Sequence, residues 1–159
     1  MPLDLAPHRL KVALIAPQIA PNTGNIARLC VAAGAELHLA RPLGFVLRDR
    51  QLRRSAMDYW PRLKLTVHDD EAALFQAIGD DRFWMLSTKG ATSLFDAKFQ
   101  NDDWLIFGNE GHGLPDETLA RDPSRAIRIP QAPNERCLNL STAAGIALYQ
   151  ALRGIQFPV

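Results

Sequence analysis

The stretch Trp104-Leu-Ile-Phe-Gly-Asn-Glu-Gly-His-Gly-Leu-Pro115 joins four apolar residues to a loop with three glycines in six positions. A short apolar run that ends in turn residues predicts a buried strand. Glycine lets the backbone of the following loop approach a ligand closely. The glycine spacing is not that of a dinucleotide-binding loop. The stretch therefore predicts a strand followed by a ligand-binding loop; the alternative is a glycine-rich hairpin with Glu110 and His112 in water.

Apolar and alternating stretches around this strand predict five more, at residues 12–16, 36–40, 63–67, 83–87 and 126–129. Helical spacing predicts a helix over 26–33 ended by Gly34, a basic helix over 50–59, a helix ending at Ile78 capped by Asp69 or Asp70, and a helix over 140–152. Residues 21–25 are predicted as a loop. Alternating strands and helices indicate an α/β fold with a mostly parallel sheet. The 159 residues fit a single domain (1–159), with its core at about 11–152.

Three loops follow predicted strands and form the candidate site, because ligands of parallel sheets bind beyond the carboxyl ends of the strands. They are the glycine-rich loop and the segments 21–28 and 129–142. Taken singly, the segment 21–28 is also explained as a strand-to-helix turn with a solvated Arg28. The segment 129–142 is also explained as a proline-rich loop in which Asn139 or Ser141 caps the last helix.

The composition is that of a globular protein, with 47% hydrophobic and 22% charged residues. No segment resembles a signal peptide or a membrane span, so we expect a cytoplasmic protein without a membrane partner. Neither the two cysteines nor the four histidines are spaced as metal ligands, so neither a metal site nor a disulfide framework is expected. The net charge of +1 does not indicate a nucleic-acid binder, but one segment is densely basic, with Arg48, Arg50, Arg53 and Arg54.

Together, the three loops resemble the three motifs of the SpoU class in the SPOUT superfamily of RNA methyltransferases. The matching residues are Asn22-x-Gly24-Asn25-x-x-Arg28, Gly108-Asn-Glu110-x-x-Gly113-Leu114, and Ile129-Pro130 with Leu138-Asn139-x-Ser141. Order and spacing match from about Lys11 to Leu152, which is nearly the whole chain. The resemblance implies a parallel α/β sheet whose C-terminal segment threads a loop to form a trefoil knot, an exception to the usual rules of chain connection.

Other segments resemble the minimal bacterial branch of this class, which methylates the wobble nucleotide of leucine tRNAs, a cytidine or a modified uridine. They are Pro17-x-Ile19-x-Pro21, Pro42-Leu-Gly-Phe45 and Leu52-Arg-Arg-Ser-Ala-Met-Asp-Tyr59. Two positions depart from the pattern: the second motif has Gly-Asn-Glu where the branch often has Gly-Pro-Glu, and Cys137 stands where the family usually has serine. The resemblance implies methylation of the ribose 2′-hydroxyl of that nucleotide, in the anticodon loop.

The resemblance also implies S-adenosylmethionine as cofactor, with S-adenosylhomocysteine as product and no metal. The residues expected to bind the cofactor, mainly through backbone groups, are Leu86, Gly108, Glu110, Gly113, Ile129, Cys137, Leu138 and Asn139. Arg28 is implied as the catalytic residue, and Asn25, Glu110 and Ser141 are candidates to orient it by hydrogen bonds. Guanidinium groups stay protonated in proteins, so we expect Arg28 to bind a phosphate or the developing alkoxide rather than to act as a base.

RNA binding is expected on the basic helix, at Arg53, Arg54, Asp58 and Tyr59. Arginines would contact phosphates, and Tyr59 or Trp60 would stack on an exposed anticodon base. The alternative is a solvated surface helix with Tyr59 and Trp60 in the core. The resemblance further implies a homodimer in which the partner subunit helps to bind RNA.

Three other functions are open to the sequence. One is a ribosomal RNA 2′-O-methyltransferase, which the lack of an accessory RNA-binding module disfavours. Another is a non-catalytic RNA-binding module, which the presence of Arg28, Glu110 and Asn139 disfavours. The third is a nucleotide-binding protein of the doubly wound type, which would need a phosphate-binding glycine pattern that the sequence lacks.

Overall fold

The computed structural model describes residues 3–48, 50, 52, 54 and 57–158. Within this part of the chain, one sheet of seven strands forms the centre, and all neighbouring strands are parallel. The strands are β1 Lys11–Ile15, β2 Glu36–Ala40, β3 Leu65–His68, β4 Phe83–Leu86, β5 Thr92–Ser93, β6 Trp104–Phe107 and β7 Ala126–Arg128. The predicted α/β fold with a parallel sheet is confirmed.

The strand order, β3-β2-β1-β6-β4-β7-β5, places the loops of interest at one edge of the sheet. The strands β1 and β6 are neighbours, with Lys11 of β1 paired to Trp104 of β6 and to Glu36 of β2. From β1 the chain continues to one side of the sheet, and from β6 it continues to the other. Such a reversal opens a crevice at the carboxyl ends of the central strands. The loops after β1, β4, β6 and β7 meet there.

Helices cover both faces of the sheet. They are α1 Ala20–Ala33, α2 Glu71–Ile78, α3 Asp116–Leu119 and α4 Leu140–Gln156, with 3₁₀ helices at Met57–Arg62, Leu94–Asp96 and Pro123–Arg125. On one face α1 packs against α4, and α2 packs on the other face. Burial between α1 and the sheet raises the pKa of the Cys30 thiol to about 12, so Cys30 is a small hydrophobic residue here. No helix in the described ranges is both long and apolar enough to cross a membrane.

The helix α1 begins at Ala20, so the predicted loop at residues 21–25 is wrong. Pro21 lies in the first turn, where a missing backbone N–H costs nothing. The N-cap position is Ile19, whose side chain cannot accept a hydrogen bond. The helix end was predicted correctly: Gly34 has a φ of 74°, the left-handed conformation that glycine adopts easily.

Other differences concern short or irregular elements. The two-residue strand β5 and the four-residue helix α3 were not predicted, because such lengths show no periodicity. Residues 57–62 form a 3₁₀ helix that contains Pro61, so the predicted helix over 50–59 is wrong in its last part. The cap of α2 is as predicted: the Asp70 carboxylate accepts a hydrogen bond from the Ala73 backbone N–H at 2.7 Å.

The connection between β4 and β5 spans β7, which lies between these two strands in the sheet. Within it, the Ser87 N–H donates to the Ile127 carbonyl at 3.0 Å. A Cβ on Gly90 would overlap the backbone of Ile127, so only glycine permits this approach. The C-terminal part of the chain is therefore held against an earlier connection.

Two histidines, the buried His38 and the half-buried His68, form a pair between β2 and β3. The His38 Nδ1 and His68 Nε2 atoms are 3.0 Å apart, and the His38 ring packs on Trp104. Burial lowers the pKa of both imidazoles. Glu36 raises the pKa of His38 and Asp69 raises that of His68, whereas the charges of His68 and Lys11 lower the pKa of His38 further. The folded protein therefore holds this pair with fewer protons than the unfolded chain does.

We predict that the protein loses stability as the pH falls below about 6.5, the ordinary histidine pKa. Below that value the unfolded chain takes up protons before the folded one, so the free energy of unfolding decreases until the lowered folded-state pKa is passed. Chemical denaturation at pH 7.5, 6.5 and 5.5 measures this slope. His68→Gln should flatten the slope and the exposed His112→Gln should not; equal slopes for wild type and His68→Gln would contradict the prediction.

Candidate active site

A cavity of about 470 Å³ lies at the carboxyl ends of β4, β6 and β7. Its walls are the ends of these strands, the loops that follow them and the first turn of α1. The volume lies within the range of about 300–1,000 Å³ that is usual for small-molecule sites. The cavity therefore has the place and the size of a cofactor site.

The residues predicted to bind the cofactor come together around this cavity. Its lining includes all of them: Leu86, Gly108, Glu110, Gly113, Ile129, Cys137, Leu138 and Asn139. They come from three segments that are far apart in the sequence and that the sheet order brings to one edge. Their contact with a cofactor stays a prediction.

The glycine-rich loop folds back on itself directly after β6. Asn109 and Gly113 form an antiparallel bridge, and the Asn109 side-chain oxygen accepts hydrogen bonds from the backbone N–H groups of Gly111 and His112. A Cβ on Gly108 would overlap the backbone of Gly113 and Leu114. The loop is thus a tight turn in which glycine at position 108 permits backbone to lie against backbone.

Glu110 joins this loop to the start of α1. Its carboxylate accepts hydrogen bonds from the backbone N–H groups of Gln18, at 2.8 Å, and Ile19, at 3.1 Å. It therefore caps the positive end of α1 from a distant part of the chain, a favourable place for a negative charge. The loop therefore has the local geometry of the alternative hairpin. The Glu110 carboxylate, however, binds backbone donors and does not lie only in water, as that alternative expects.

We predict that Glu110→Gln lowers the free energy of unfolding by about 0.5–2 kcal/mol, the usual scale of a lost helix cap. The amide keeps only one acceptor oxygen and no charge, so one backbone donor at the start of α1 loses its partner. Urea denaturation measures the change. Glu135→Gln, in an exposed loop, is the matched control; equal stability of the two variants would mean that the contact does not support α1.

Asn22 connects the first, second and third motifs. Its Nδ2 donates to the Glu110 carboxylate at 3.3 Å, and its Oδ1 accepts from the Asn139 Nδ2 at 3.1 Å. Asn22 is only 7% exposed and lines the cavity. Sequence reasoning gave Asn22 no functional role, although its position in the first motif was a usable signal. The three loops are therefore held together by one buried amide.

Asn139 and Ser141 begin the last helix. The Asn139 side-chain oxygen accepts from the backbone N–H groups of Ser141 and Thr142, which makes Asn139 the cap of α4, one of the two predicted alternatives. The Ser141 hydroxyl donates to the same oxygen at 2.6 Å. The Ser141 hydroxyl therefore forms its hydrogen bond at the start of α4, with the capping residue.

Arg28 does not line the cavity. It lies six residues after Asn22 in α1, so it is about 9 Å further along the helix and on another side of it. Its exposed side chain lies over the ring of Tyr59, with the guanidinium carbon 5.5 Å from the ring centroid. Asn25 is also exposed on α1. We expected Glu110 and Ser141 to orient Arg28 by hydrogen bonds. Within a single chain, the side chains of Glu110 and Ser141 instead form hydrogen bonds at the starts of α1 and α4.

The predicted RNA-binding residues are only partly described. Arg53 lies outside the described residues, whereas Arg54 and Asp58 are exposed. Tyr59 is half-buried, and its ring contacts arginines rather than standing free. Trp60 packs against the core, as in the alternative interpretation.

Two charged residues of the cavity rim were missed. Lys89, in the connection between β4 and β5, forms an ion pair with Asp116 at 2.6 Å, and Arg128 ends β7. Neither belongs to a recognisable motif, and the sheet order alone brings them to the cavity. The described ranges contain no group of three or more histidine, cysteine or acidic side chains suited to a metal ion.

Comparison with solved structures defines the class of protein that this fold and cavity represent. The structure of the SpoU methyltransferase AviRb from Streptomyces viridochromogenes in complex with the cofactor AdoMet superposes with a TM-score of 0.81 at 25% identity, over 93% of this chain and 61% of that one. The chain belongs to the SpoU rRNA Methylase family, whose model matches residues 9–149.

Other relatives are nearer in sequence. A curated tRNA (cytidine(34)-2′-O)-methyltransferase from Methylovorus glucosotrophus is 43% identical over 92% of this chain and 96% of its own length. A structure described as giving insight into the 2-OH methylation of C/U34 on tRNA matches with a TM-score of 0.90 and 44% identity, over 94% of this chain and 97% of that one. The predicted resemblance to the SpoU class is confirmed, and the chain is a methyltransferase.

Proposed function

We propose that this protein transfers a methyl group from S-adenosylmethionine to the ribose 2′-hydroxyl of the wobble nucleotide in tRNA, with leucine tRNAs as substrates. The observation that carries the proposal is the similarity, over nearly the full length of both chains, to enzymes named for position 34 of tRNA. The cavity and its three linked loops support the chemistry.

The residues around the cavity suit the proposed cofactor. Leu86 at the end of β4, Ile129 directly after β7 and the turn at Gly108 offer backbone groups that can bind a purine and a ribose without particular side chains. Leu138 and Leu114 add apolar surface. Cys137 lines the same wall, and its backbone serves as a serine backbone would. S-adenosylmethionine, when bound, supplies a methyl group that its sulfonium charge has already activated.

The protein has to align the attacking ribose oxygen and stabilise the charge that develops on it. Alignment of two reacting groups contributes several kcal/mol to catalysis. Arg28 is the proposed source of positive charge, acting on the developing alkoxide or on the neighbouring phosphate. Arg53 and Arg54 are proposed to bind phosphates of the anticodon stem and loop. Asn25 and Ser141 are proposed as helpers of Arg28.

A homodimer in the cytoplasm is part of the proposal. Exposed apolar side chains on and next to α1 and α4, among them Ile19, Ile146 and Tyr149, support an interface on this face. Ile19 also lines the cavity, so such an interface would border the cofactor. Arg28 does not line the cavity of its own chain, and we propose that Arg28 of a second copy reaches this cavity. We also propose that the chain is one domain and that its C-terminal segment forms the trefoil knot, which the passage of β7 next to Gly90 supports.

A transfer assay tests the proposal. Purified protein is incubated with methyl-labelled S-adenosylmethionine and, separately, with tRNA and ribosomal RNA from a strain that lacks the gene. We expect label in tRNA at position 34, with a 2′-O-methyl group found by nucleotide mapping. The family description names ribosomal RNA, so label confined to ribosomal RNA would favour that second function. Cofactor binding without transfer to either RNA would contradict both.

A further inference from the structure

The ring of Tyr59 is shared by two arginine side chains from different elements. The guanidinium carbon of Arg28, on α1, lies 5.5 Å from the ring centroid, and that of Arg62 lies 4.9 Å from it. Both distances are within the range of about 6 Å for cation–π attraction. The ring thus connects the proposed catalytic arginine to the 3₁₀ helix Met57–Arg62.

This 3₁₀ helix gives the ring a stable position. It packs against α1, and Trp60, the next residue, packs against the core. Pro61 restricts the backbone of the same turn. Tyr59 is therefore held by its neighbours while its ring remains partly exposed beside Arg28.

Arg28 needs such support. Its side chain is exposed, and a free arginine side chain loses rotamer entropy when it is immobilised. The Tyr59 ring already restricts the guanidinium in the free protein, so less entropy remains to be lost when the reaction takes place. The second guanidinium, of Arg62, adds positive charge at the same place and favours an RNA phosphate next to the reacting ribose.

We propose that Tyr59 is a positioning residue for Arg28 and that Arg28, Tyr59 and Arg62 act as one phosphate-facing unit. This differs from the expected stacking of Tyr59 on an anticodon base, because the ring is already engaged by two cations. The inference rests on the proposed function of Arg28. It assigns Arg62 to tRNA binding and gives Tyr59 an effect on turnover that acts through Arg28.

Substitutions at Tyr59 that differ in ring electrons test the inference. Tyr59→Leu should lower kcat by about 5- to 100-fold, between the loss of one cation–π contact and the misplacement of a catalytic group. Tyr59→Phe should stay within about 2-fold of wild type. Fluorinated phenylalanines at this position keep the ring but weaken its attraction for cations, so kcat should fall stepwise with fluorination while KM for tRNA changes little. A kcat independent of fluorination, or an effect on KM alone, would overturn the proposal and support base stacking.

A second measurement does not depend on activity. The NMR signal of the Arg28 Nε–H, assigned with the Arg28→Lys variant, should show a ring-current shift that is kept in Tyr59→Phe and lost in Tyr59→Leu. Arg62→Gln should raise KM for tRNA and reduce its salt dependence by about one phosphate contact. If wild type methylates no tRNA while the ring-current shift is present, the proposed function fails and the Arg28–Tyr59 contact stands. Without that shift, the positioning inference fails whatever the activity.

Discussion

Replacing Gly108 with valine is expected to weaken binding of S-adenosylmethionine by about 1–3 kcal/mol, the scale of local backbone strain, or roughly 5- to 150-fold in Kd. A Cβ at this position would overlap the backbone of Gly113 and Leu114, and no side-chain rotation relieves such an overlap. The loop would have to open, and the cavity wall and the Glu110 contact with α1 would move with it. Calorimetric titration measures the affinity.

The same variant should also melt at a lower temperature. The added side chain would lie against the loop's own backbone, so stability and affinity should fall together. Gly111→Ala is the matched control in the same loop, because its Cβ would meet only Asn109 Oδ1, at an ordinary 3.7 Å. Normal cofactor binding by Gly108→Val would show that the wall is not where we propose.

Replacing Arg28 with alanine is expected to lower kcat by about 10²- to 10³-fold, the usual effect of removing a group that stabilises transition-state charge. Affinity for S-adenosylmethionine should stay within about 2-fold of wild type, because Arg28 does not line the cavity. Loss of a direct contact worth about 1.4 kcal/mol would instead raise Kd about tenfold. Single-turnover kinetics with tRNA and calorimetry with the cofactor separate the two quantities.

The control for Arg28→Ala is Arg9→Ala. The Arg9 side chain is 74% exposed and pairs only weakly with Asp102, at 3.6 Å, so its loss removes one positive charge far from the cavity. Mixing Arg28→Ala with Gly108→Val subunits also tests the homodimer. Recovery of part of the activity would show that Arg28 of one subunit serves the cavity of the other; no recovery, in a mixture shown to contain mixed dimers, would place both functions in one chain.

The sequence predicts the long elements of the fold and misses those whose limits depend on distant residues. The strands β1, β4 and β6 are largely apolar runs and β2 alternates between polar and apolar residues, so local chemistry is enough to find them. The start of α1 is different, because Pro21 and Gly24 are typical of loops. What caps this helix is Glu110, and no local pattern contains a partner about ninety residues away.

The sequence indicates which backbone segments reach the cavity, but it does not indicate the partners of the side chains around it. Leu86, Gly108 and Ile129 lie at the cavity because strand ends in a parallel sheet share an edge. The partners of Arg28 were predicted from chemistry alone, by pairing a cation with nearby motif residues. In the structure, Glu110 binds the backbone at the start of α1. The ring of Tyr59 lies beside Arg28 because the 3₁₀ helix Met57–Arg62 packs on α1.

The bridge made by Asn22 has a consequence for how the protein becomes functional. The Asn22 amide contacts Glu110, which is 88 positions further along the chain, and Asn139, which is 117 positions further. Both of these long chain segments must close before the cavity has its shape. Contacts of such sequence separation form late, since the entropy of closing the intervening chain has to be overcome first. The contact with Asn139 spans more of the chain than the pairing of Lys11 with Trp104 between β1 and β6, so we expect the sheet to form before the ligand site is complete. In a refolding experiment, recovery of cofactor binding would then report the docking of α4, and it would lag behind the return of secondary structure.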